Sequence, residues 1–521
     1  MSKLSIKSIT QQETTIYALM TVLFGVAVWC FWSLAYPCAL GFQEQLQLFL
    51  FDSEYWQERV AMPAGVARYC AEFLVQLYNK VAIGGLIIAA VYVSLQILTW
   101  LLVRKECRSR WLGYTLSFIP SLMMWFYMSD EMVKLTFPIA LLMALLAMVG
   151  YTYAKRHIVS YTAYLLLMTP VLAWIAGPTV LVFALYVALD GLRKPRRYGS
   201  LLMIIYAPLL VRICGYFAPV PVYRLFYGIN YSMVVEQLPL TQCIIMAVTA
   251  LLPLLILLIP QMDGKKAKLA WAGTAVVLIA IAATCITKAY STPDYEVMEY
   301  DSMVRAQQWD KIIHKAEKKS PDSPLTVAAL NLALAIKGEL TTRAGEFYQN
   351  GWAGAFPTFN KNYQSSLMTA ETYFYLGLIN TAMRLDFEAM EALPDNAKSA
   401  RLVKRLAETN LINGQYDVAR KYLLLLQKTM FFSKWATETM KLLGNDKAID
   451  AHPLYGHLRQ LRLDNDFFFS EPETDKIMGQ LVMQNHNNSL AAQYLLLLPQ
   501  LEGNRQKYMM YMDFLKKTLD K

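Results

Sequence analysis

The sequence predicts an all-α protein: a polytopic transmembrane helical bundle of about nine spans, followed by a soluble helical-repeat domain of tetratricopeptide-like character. Hydrophobic residues make up 56% of the 521 residues and charged ones 17%, with a mean hydropathy of +0.31. These averages hide a division. Up to about Lys288 apolar runs of membrane length alternate with short basic or Pro/Gly-rich stretches, and beyond it charged residues recur every few positions. In that second part the apolar residues follow a helical period and strand signals are scarce. The expected domains are therefore 1–288 in the membrane and 289–521 outside it.

The first apolar run, about Thr15 to Pro37, follows Lys3 and Lys7 as in a signal sequence. It is too long for a signal core, and Pro37 and Tyr36 stand where a cleavage site needs small residues, so an uncleaved anchor helix is expected. Further runs lie at about Ile83–Val103, Leu112–Met128, Met132–Tyr153, Ile158–Ala176, Thr179–Leu192, Ser200–Phe217, Leu240–Ile259 and Leu269–Thr287.

With the N-terminus inside, the inner segments carry Lys3, Lys7, Arg104, Lys105, Arg108, Arg110, Lys155, Arg156, Arg193, Lys194, Arg196, Arg197, Lys265, Lys266 and Lys268. The outer connections carry only Arg59, Arg68, Lys80, Lys134, Arg212, Arg224 and Lys288, spread over longer loops. Positive charge gathers on the cytoplasmic side, so this split orients the chain. Losing the short sixth span would break the alternation. An odd span count places 289–521 in the periplasm of a Gram-negative cell, with the rest in the inner membrane. The formal charge of +10 is explained by these loops and by anionic lipid, and nucleic acid is not an expected partner.

All seven cysteines precede residue 289, and none has metal-ligand spacing. Cys38 and Cys70 share the outer side, where a disulfide is chemically open, although lone cysteines in membrane helices more often act as small apolar fillers. His157, His314, His452, His457 and His486 are scattered, and no Walker loop, GxSxG or strand-borne GxGxxG occurs. Asp190 lies at an inner helix end, within reach of water, and no charged pathway or inverted half points to transport.

In the second part the clearest unit runs from Arg401 to Lys428, where two amphipathic segments flank Asn413-Gly414. Gly414 suits the end of the first helix, and Tyr416, Ala419 and Leu423 share one face of the second. Similar halves recur at Gln308–Glu317, Ala370–Leu393 and Leu490–Met512. A degenerate array of this kind offers a concave surface to a protein partner. Phe347 to Tyr363, rich in Gly, Pro and aromatics, reads as a loop packed on the array or dipping to the membrane.

The first outer loop, about Cys38 to Ala82, carries Glu44, Asp52, Glu54 and Glu58, and then a helix from Pro63 with Val66, Tyr69, Phe73 and Leu77 as an apolar stripe. The second outer connection contains Asp130-Glu131. This layout resembles the multispanning glycosyltransferases that use polyprenyl-phosphate sugars. What the resemblance implies is a catalytic carboxylate among Glu44, Asp52, Asp130 and Glu131, with Arg59, Arg68, Arg212 and Arg224 holding the lipid phosphate. A divalent metal is expected only with that chemistry. No Asp-Asp, Asp-Glu or DxD pair follows the first span, which departs from the pattern. Over nearly its whole length the chain resembles an uncharacterised family of Bacteroidota membrane proteins, through PAGVARYCAEFLVQLY from Pro63, NLALAIKGEL from Asn331, SARLVKRLAETNLINGQYDVARKYLLLLQKTMFF from Ser399 and HPLYGHLRQLR from His452. That family implies an architecture and no activity. The functional expectation is a membrane protein whose periplasmic domain binds a cell-envelope partner, with the glycosyltransferase as the alternative.

Overall fold

The computed structural model describes residues 2–193, 195–218, 220–229, 231, 239–261, 264–357, 363–393, 397–463 and 473–519. The regular elements among them are all helical, and the chain divides into two compact units. The first comprises Met1–Glu44 and Asp52–Ser291, the second Gln45–Phe51 and Thr292–Lys521.

In the first unit, α1 (Ser2–Cys30) continues into a π-helical turn and is followed by the loop helices α2 (Pro37–Gln45), α3 (Ser53–Val60) and α4 (Gly65–Val75). Then come α5 (Val81–Val103), α6 (Arg110–Leu116), α7 (Ile119–Met128), α8 (Thr136–Ala154), α9 (Ile158–Ala176), α10 (Val180–Leu192), α11 (Met203–Cys214), α12 (Val222–Tyr227), α13 (Leu240–Leu255) and α14 (Gly264–Ala289). Among the described residues seven stretches are long and apolar enough to cross a membrane: Glu13–Ala35, Val81–Val103, Thr136–Ala154, Ile158–Leu192, Arg197–Phe217, Leu240–Leu258 and Leu269–Ala289. Leu19, Val22, Leu23 and Val26 of α1, and Val276, Val277, Ile279 and Ile281 of α14, are exposed. Such apolar faces suit lipid and not water. The chain is a membrane protein.

One of the expected runs takes a different form, while the expected Ile158–Ala176 and Thr179–Leu192 stand as two helices. Leu112–Met128 is split into α6 and α7 around Ser117 and Phe118, with Pro120 in the first turn of α7, where its missing N–H costs nothing. Ile158–Leu192 holds two helices parted by a 3-10 turn at Gly177–Thr179, and Gly177 takes φ +63°, which favours glycine.

Side-chain contacts fix the helix directions. Trp29 Nε1 donates to the Ala82 carbonyl at 3.0 Å, while Tyr17 meets Trp100, so α1 and α5 are antiparallel. Trp111 reaches Glu13, Phe118 meets Phe24 and Trp125 meets Phe31, so α6 and α7 together run beside α1 in its own direction. At ~1.5 Å per residue, the span from Glu13 to Phe31 approaches the ~30 Å of a hydrocarbon core. Thr179 lies against Ala140 and Asp190 against Tyr151, so α10 runs parallel to α8. Helix α9, starting just after α8 ends, meets it with Tyr164 against Ala147 and returns the other way.

The second unit is built from α15 (Thr292–Arg305), α16 (Trp309–Lys318), α17 (Pro324–Lys337), α18 (Leu340–Arg343), α19 (Trp352–Ala355), α20 (Tyr363–Leu376), α21 (Ile379–Glu391), α22 (Ala400–Ile412), α23 (Tyr416–Gln427), α24 (Ser433–Met440), α25 (Asp446–Asp450), α26 (Tyr455–Leu461), α27 (Thr474–Gln484), α28 (Ser489–Leu501) and α29 (Arg505–Leu519). Helices α17, α20 and α22 each end at a left-handed glycine, Gly338, Gly377 or Gly414, about every 38 residues. In each case the residue after the glycine donates its N–H back across the last turn: Glu339 to Leu334, Leu378 to Tyr373, and Gln415 to Asn410. This cap stops one helix and aims the chain into the next. Ala419 and Leu423 are buried, as the periodicity of α23 requires. The aromatic stretch from Phe347 packs into the unit, with Phe356 stacked on Tyr373; residues 358–362 of it lie outside the described residues.

Candidate functional site

The site grows from the turn between α3 and α4. Asp52 caps α3, its side chain accepting the Glu54 N–H at 3.3 Å. Ala64 is left-handed at φ +62°, and its N–H donates to the Trp174 carbonyl at 2.8 Å. The next residue must be Gly65, because a Cβ there would sit 1.7 Å from the Arg59 carbonyl oxygen. The turn thus brings α3 against α4.

Its product is a cluster around Glu72. Arg59 donates from Nε to Glu72 Oε2 at 2.9 Å, and Arg68, one turn before Glu72 on α4, donates from Nε to Oε1 at 2.7 Å. Tyr55 gives its hydroxyl hydrogen to Oε2, and the Arg59 guanidinium also lies over the Tyr55 ring. Arg59 Nη1 reaches the exposed Glu58 at 3.0 Å. Glu72 is 5% exposed. Burial works against its charge, but Arg68 and then Arg59 outweigh it and hold the carboxyl below the usual carboxylate range. Burial, then Glu72, pushes the Tyr55 phenol up.

A carboxylate held this way is ionised and a weak base, so Glu72 is unsuited to proton abstraction. Ala67, Arg68, Ala71 and Glu72 form the buried face of α4, while Phe73 of the apolar stripe is exposed.

Of the other expected residues, Glu44 is buried at the end of α2, and its neighbour Gln43 donates to the Glu131 and Val133 carbonyls. These bonds link the loop between α1 and α5 to the connection between α7 and α8. Asp130 is exposed and turns its carboxylate onto the Met132 N–H at 2.8 Å; Glu131 is half-buried. Arg212 is exposed in the last turn of α11, and Arg224 lies in α12, half-buried. The structure thus unites Arg59 and Arg68, on a residue the sequence reading passed over. The four-residue spacing of Arg68 and Glu72 was the available signal.

At the opposite ends of the helices lies a second charged group. Asp190, expected within reach of water, is 3% exposed and pairs with Lys155 at 3.0 Å and with Tyr151. Burying the carboxylate there needs these partners. Arg193 bridges Glu106 at 2.8 Å, and Arg197 donates to the Lys155 carbonyl. The ends of α5, α8 and α10 therefore meet with their basic residues. The side chains of Lys3, Lys7, Lys194, Arg196, Lys265, Lys266 and Lys268 lie outside the described residues.

The second unit buries its own network. Arg401 Nη1 donates to both oxygens of Asp301, at 2.8 and 2.9 Å, and to Gln45 Oε1 at 2.8 Å, while Nη2 reaches Glu371 at 3.0 Å. Arg405 takes the other Glu371 oxygen at 2.6 Å and lies over the Phe374 ring. Burial opposes the Glu371 charge, yet Arg405 and then Arg401 hold its pKa down to about 2. Among the described residues no group of three or more His, Cys, Asp or Glu side chains is placed to hold a metal ion. Cys70 is a free thiol, so the Cys38–Cys70 disulfide is not formed.

The fold and these clusters define a helical membrane protein with a second all-helical unit. The chain belongs to the family of unknown function DUF6057, whose model matches residues 13–521. No curated protein and no solved structure matches it.

Proposed function

We propose that this is an integral inner-membrane protein that crosses the bilayer nine times from a cytoplasmic N-terminus, and whose periplasmic part, from residue 289, binds a protein partner of the cell envelope. Nine crossings follow if α6 and α7 cross together and α9 and α10 cross separately, as their directions suggest. The meeting of Arg193, Arg197 and Lys155 at one set of helix ends supports a cytoplasmic side there. The observation that carries partner binding is the recurrence of glycine-capped helix pairs through Gly338, Gly377 and Gly414, the construction of tetratricopeptide-like arrays. Photo-crosslinkers at exposed Val418 and Leu424 of the full chain, in cells, test this. A discrete envelope protein captured at these positions, and absent from a control position in α14, is expected; capture of lipid or of nothing at all positions in the second unit would refute it.

A second reading is favoured by the convergence of Arg59 and Arg68: a glycosyltransferase using a polyprenyl-phosphate-linked sugar, with those arginines on the phosphate and an acid among Glu44, Asp52, Asp130 and Glu131 as its base. It expects alanine at one of these acids to abolish sugar transfer without loss of folded protein. Full transfer in all four variants would eliminate it.

A further inference from the structure

The segment Gln45–Phe51 lies in sequence within the loop Cys38 to Ala82 but belongs to the second unit. Gln45, the last residue of α2, accepts from Arg401 through its side-chain oxygen. Beyond Leu46 the segment is non-helical, and the Phe51 N–H donates to the Lys428 carbonyl at 2.8 Å, just past the end of α23. Between these two polar fixings Leu48 enters a cluster made by Ala400, Val403, Ala407, Leu423, Leu426 and Ala436. Leu50 packs against the edge of the same cluster.

Three of the lining residues are alanines, on α22 and α24. Small side chains there leave room for one leucine from outside the helices. A side-chain amide at one end, a main-chain hydrogen bond at the other and an apolar knob between them are how a groove reads an extended peptide: the main chain contributes affinity and the pocket selectivity. The Arg401 guanidinium, fixed by Asp301 and Glu371, presents its donor to Gln45 in a set position, so the amide is read by a preorganised group.

We propose that the groove of α22, α23 and α24 is the partner site of the second unit, that it takes a non-helical peptide with a glutamine followed three and five residues later by leucines, and that Gln45–Phe51 occupies it as an intramolecular competitor. The proposal rests on the partner-binding reading above and names where and what the unit binds. A partner segment of this pattern enters only by displacing the chain's own.

The test uses the full-length protein in nanodiscs and a fluorescent synthetic peptide of residues 44–52. Leu48→Asp puts a charge in the apolar cluster and releases the segment. Saturable binding of the peptide to L48D is expected, with binding to the wild-type protein weakened about 100-fold, because a tethered segment competes at an effective concentration in the millimolar range. Hydrogen exchange of Thr474–Leu519 reports whether L48D keeps its fold. If it does not, Gln45→Ala, which removes the amide that Arg401 holds and leaves the Leu48 cluster in place, takes its place, with the same direction and a smaller ratio. Failure of the peptide to bind a folded variant, or equal binding to variant and wild type, overturns the proposal. The cross-linking result for the unit as a whole stands apart from either outcome.

Discussion

Two buried carboxylates in this protein each bridge two arginines, and they differ in what surrounds them. Glu72 holds Arg59 and Arg68, and Arg59 also reaches the exposed Glu58, so two guanidinium groups face two carboxylates, one of them in solvent. Glu371 holds Arg401 and Arg405, but Asp301 takes Arg401 and Glu408 takes Arg405 at 3.3 Å, so the charges there are balanced or negative. A balanced network deep in a helical unit specifies packing. The same bond type joins α3 to α4 in one unit and α15, α20 and α22 in the other.

The comparison breaks most visibly at Glu371. Glu371→Ala leaves two guanidinium groups, Arg401 buried and Arg405 half-buried, short of a partner, and a loss of about 3–5 kcal/mol is expected, read from denaturant melting of the full chain. Glu72→Gln keeps the shape and removes the charge. A smaller loss, on the order of 2 kcal/mol, is expected, confined to faster hydrogen exchange in α3 and α4. A wild-type-like exchange pattern would mean that Arg59 and Arg68 do not depend on Glu72.

The pH dependence sharpens the contrast. The Glu371 carboxyl lies at about 2, against roughly 4.3 for a free glutamate. A depressed carboxyl contributes stability that is fully present above the unfolded value and is lost as pH falls toward the folded one. The second unit should therefore weaken between about pH 4 and pH 2, and Glu371→Gln should flatten that slope while lowering stability at neutral pH. Smallest of all is Gly414→Ala. Its φ of +75° is strained for alanine, yet nothing lies within 4 Å of the new Cβ, so about 1 kcal/mol is expected in the melting midpoint.

Much of the fold is legible in the sequence, because membrane length and helical period are one-dimensional signals. Val81–Val103 and Leu269–Ala289 are uninterrupted apolar runs, and Gly414 marks its turn by being the one residue type at ease there. The split at Ser117 and Phe118 is harder to see, since neither residue breaks a helix and only Pro120 hints at a new start. The site was legible in halves. Arg59 and Arg68 stand out as cations in an outer loop, but Glu72 falls inside an amphipathic helix whose apolar stripe dominates the pattern. Asp190 carries no mark of its partners, because Lys155 and Tyr151 come from another helix. Nothing local in Gln45–Phe51 announces that Arg401, far along the chain, holds its first residue.

The most direct test of the central claim is the sidedness of the chain in the inner membrane. Single cysteines at Tyr198, after α10, and at Lys516, in α29, probed in intact cells with a membrane-impermeant thiol reagent after the native cysteines have been replaced, report both ends of the proposed topology. Labelling at 516 in cells whose outer membrane alone has been permeabilised, with 198 protected until the inner membrane is broken, is the result this account predicts. Protection at 516, or labelling of both sites, would contradict the nine crossings and with them the periplasmic placement of the second unit.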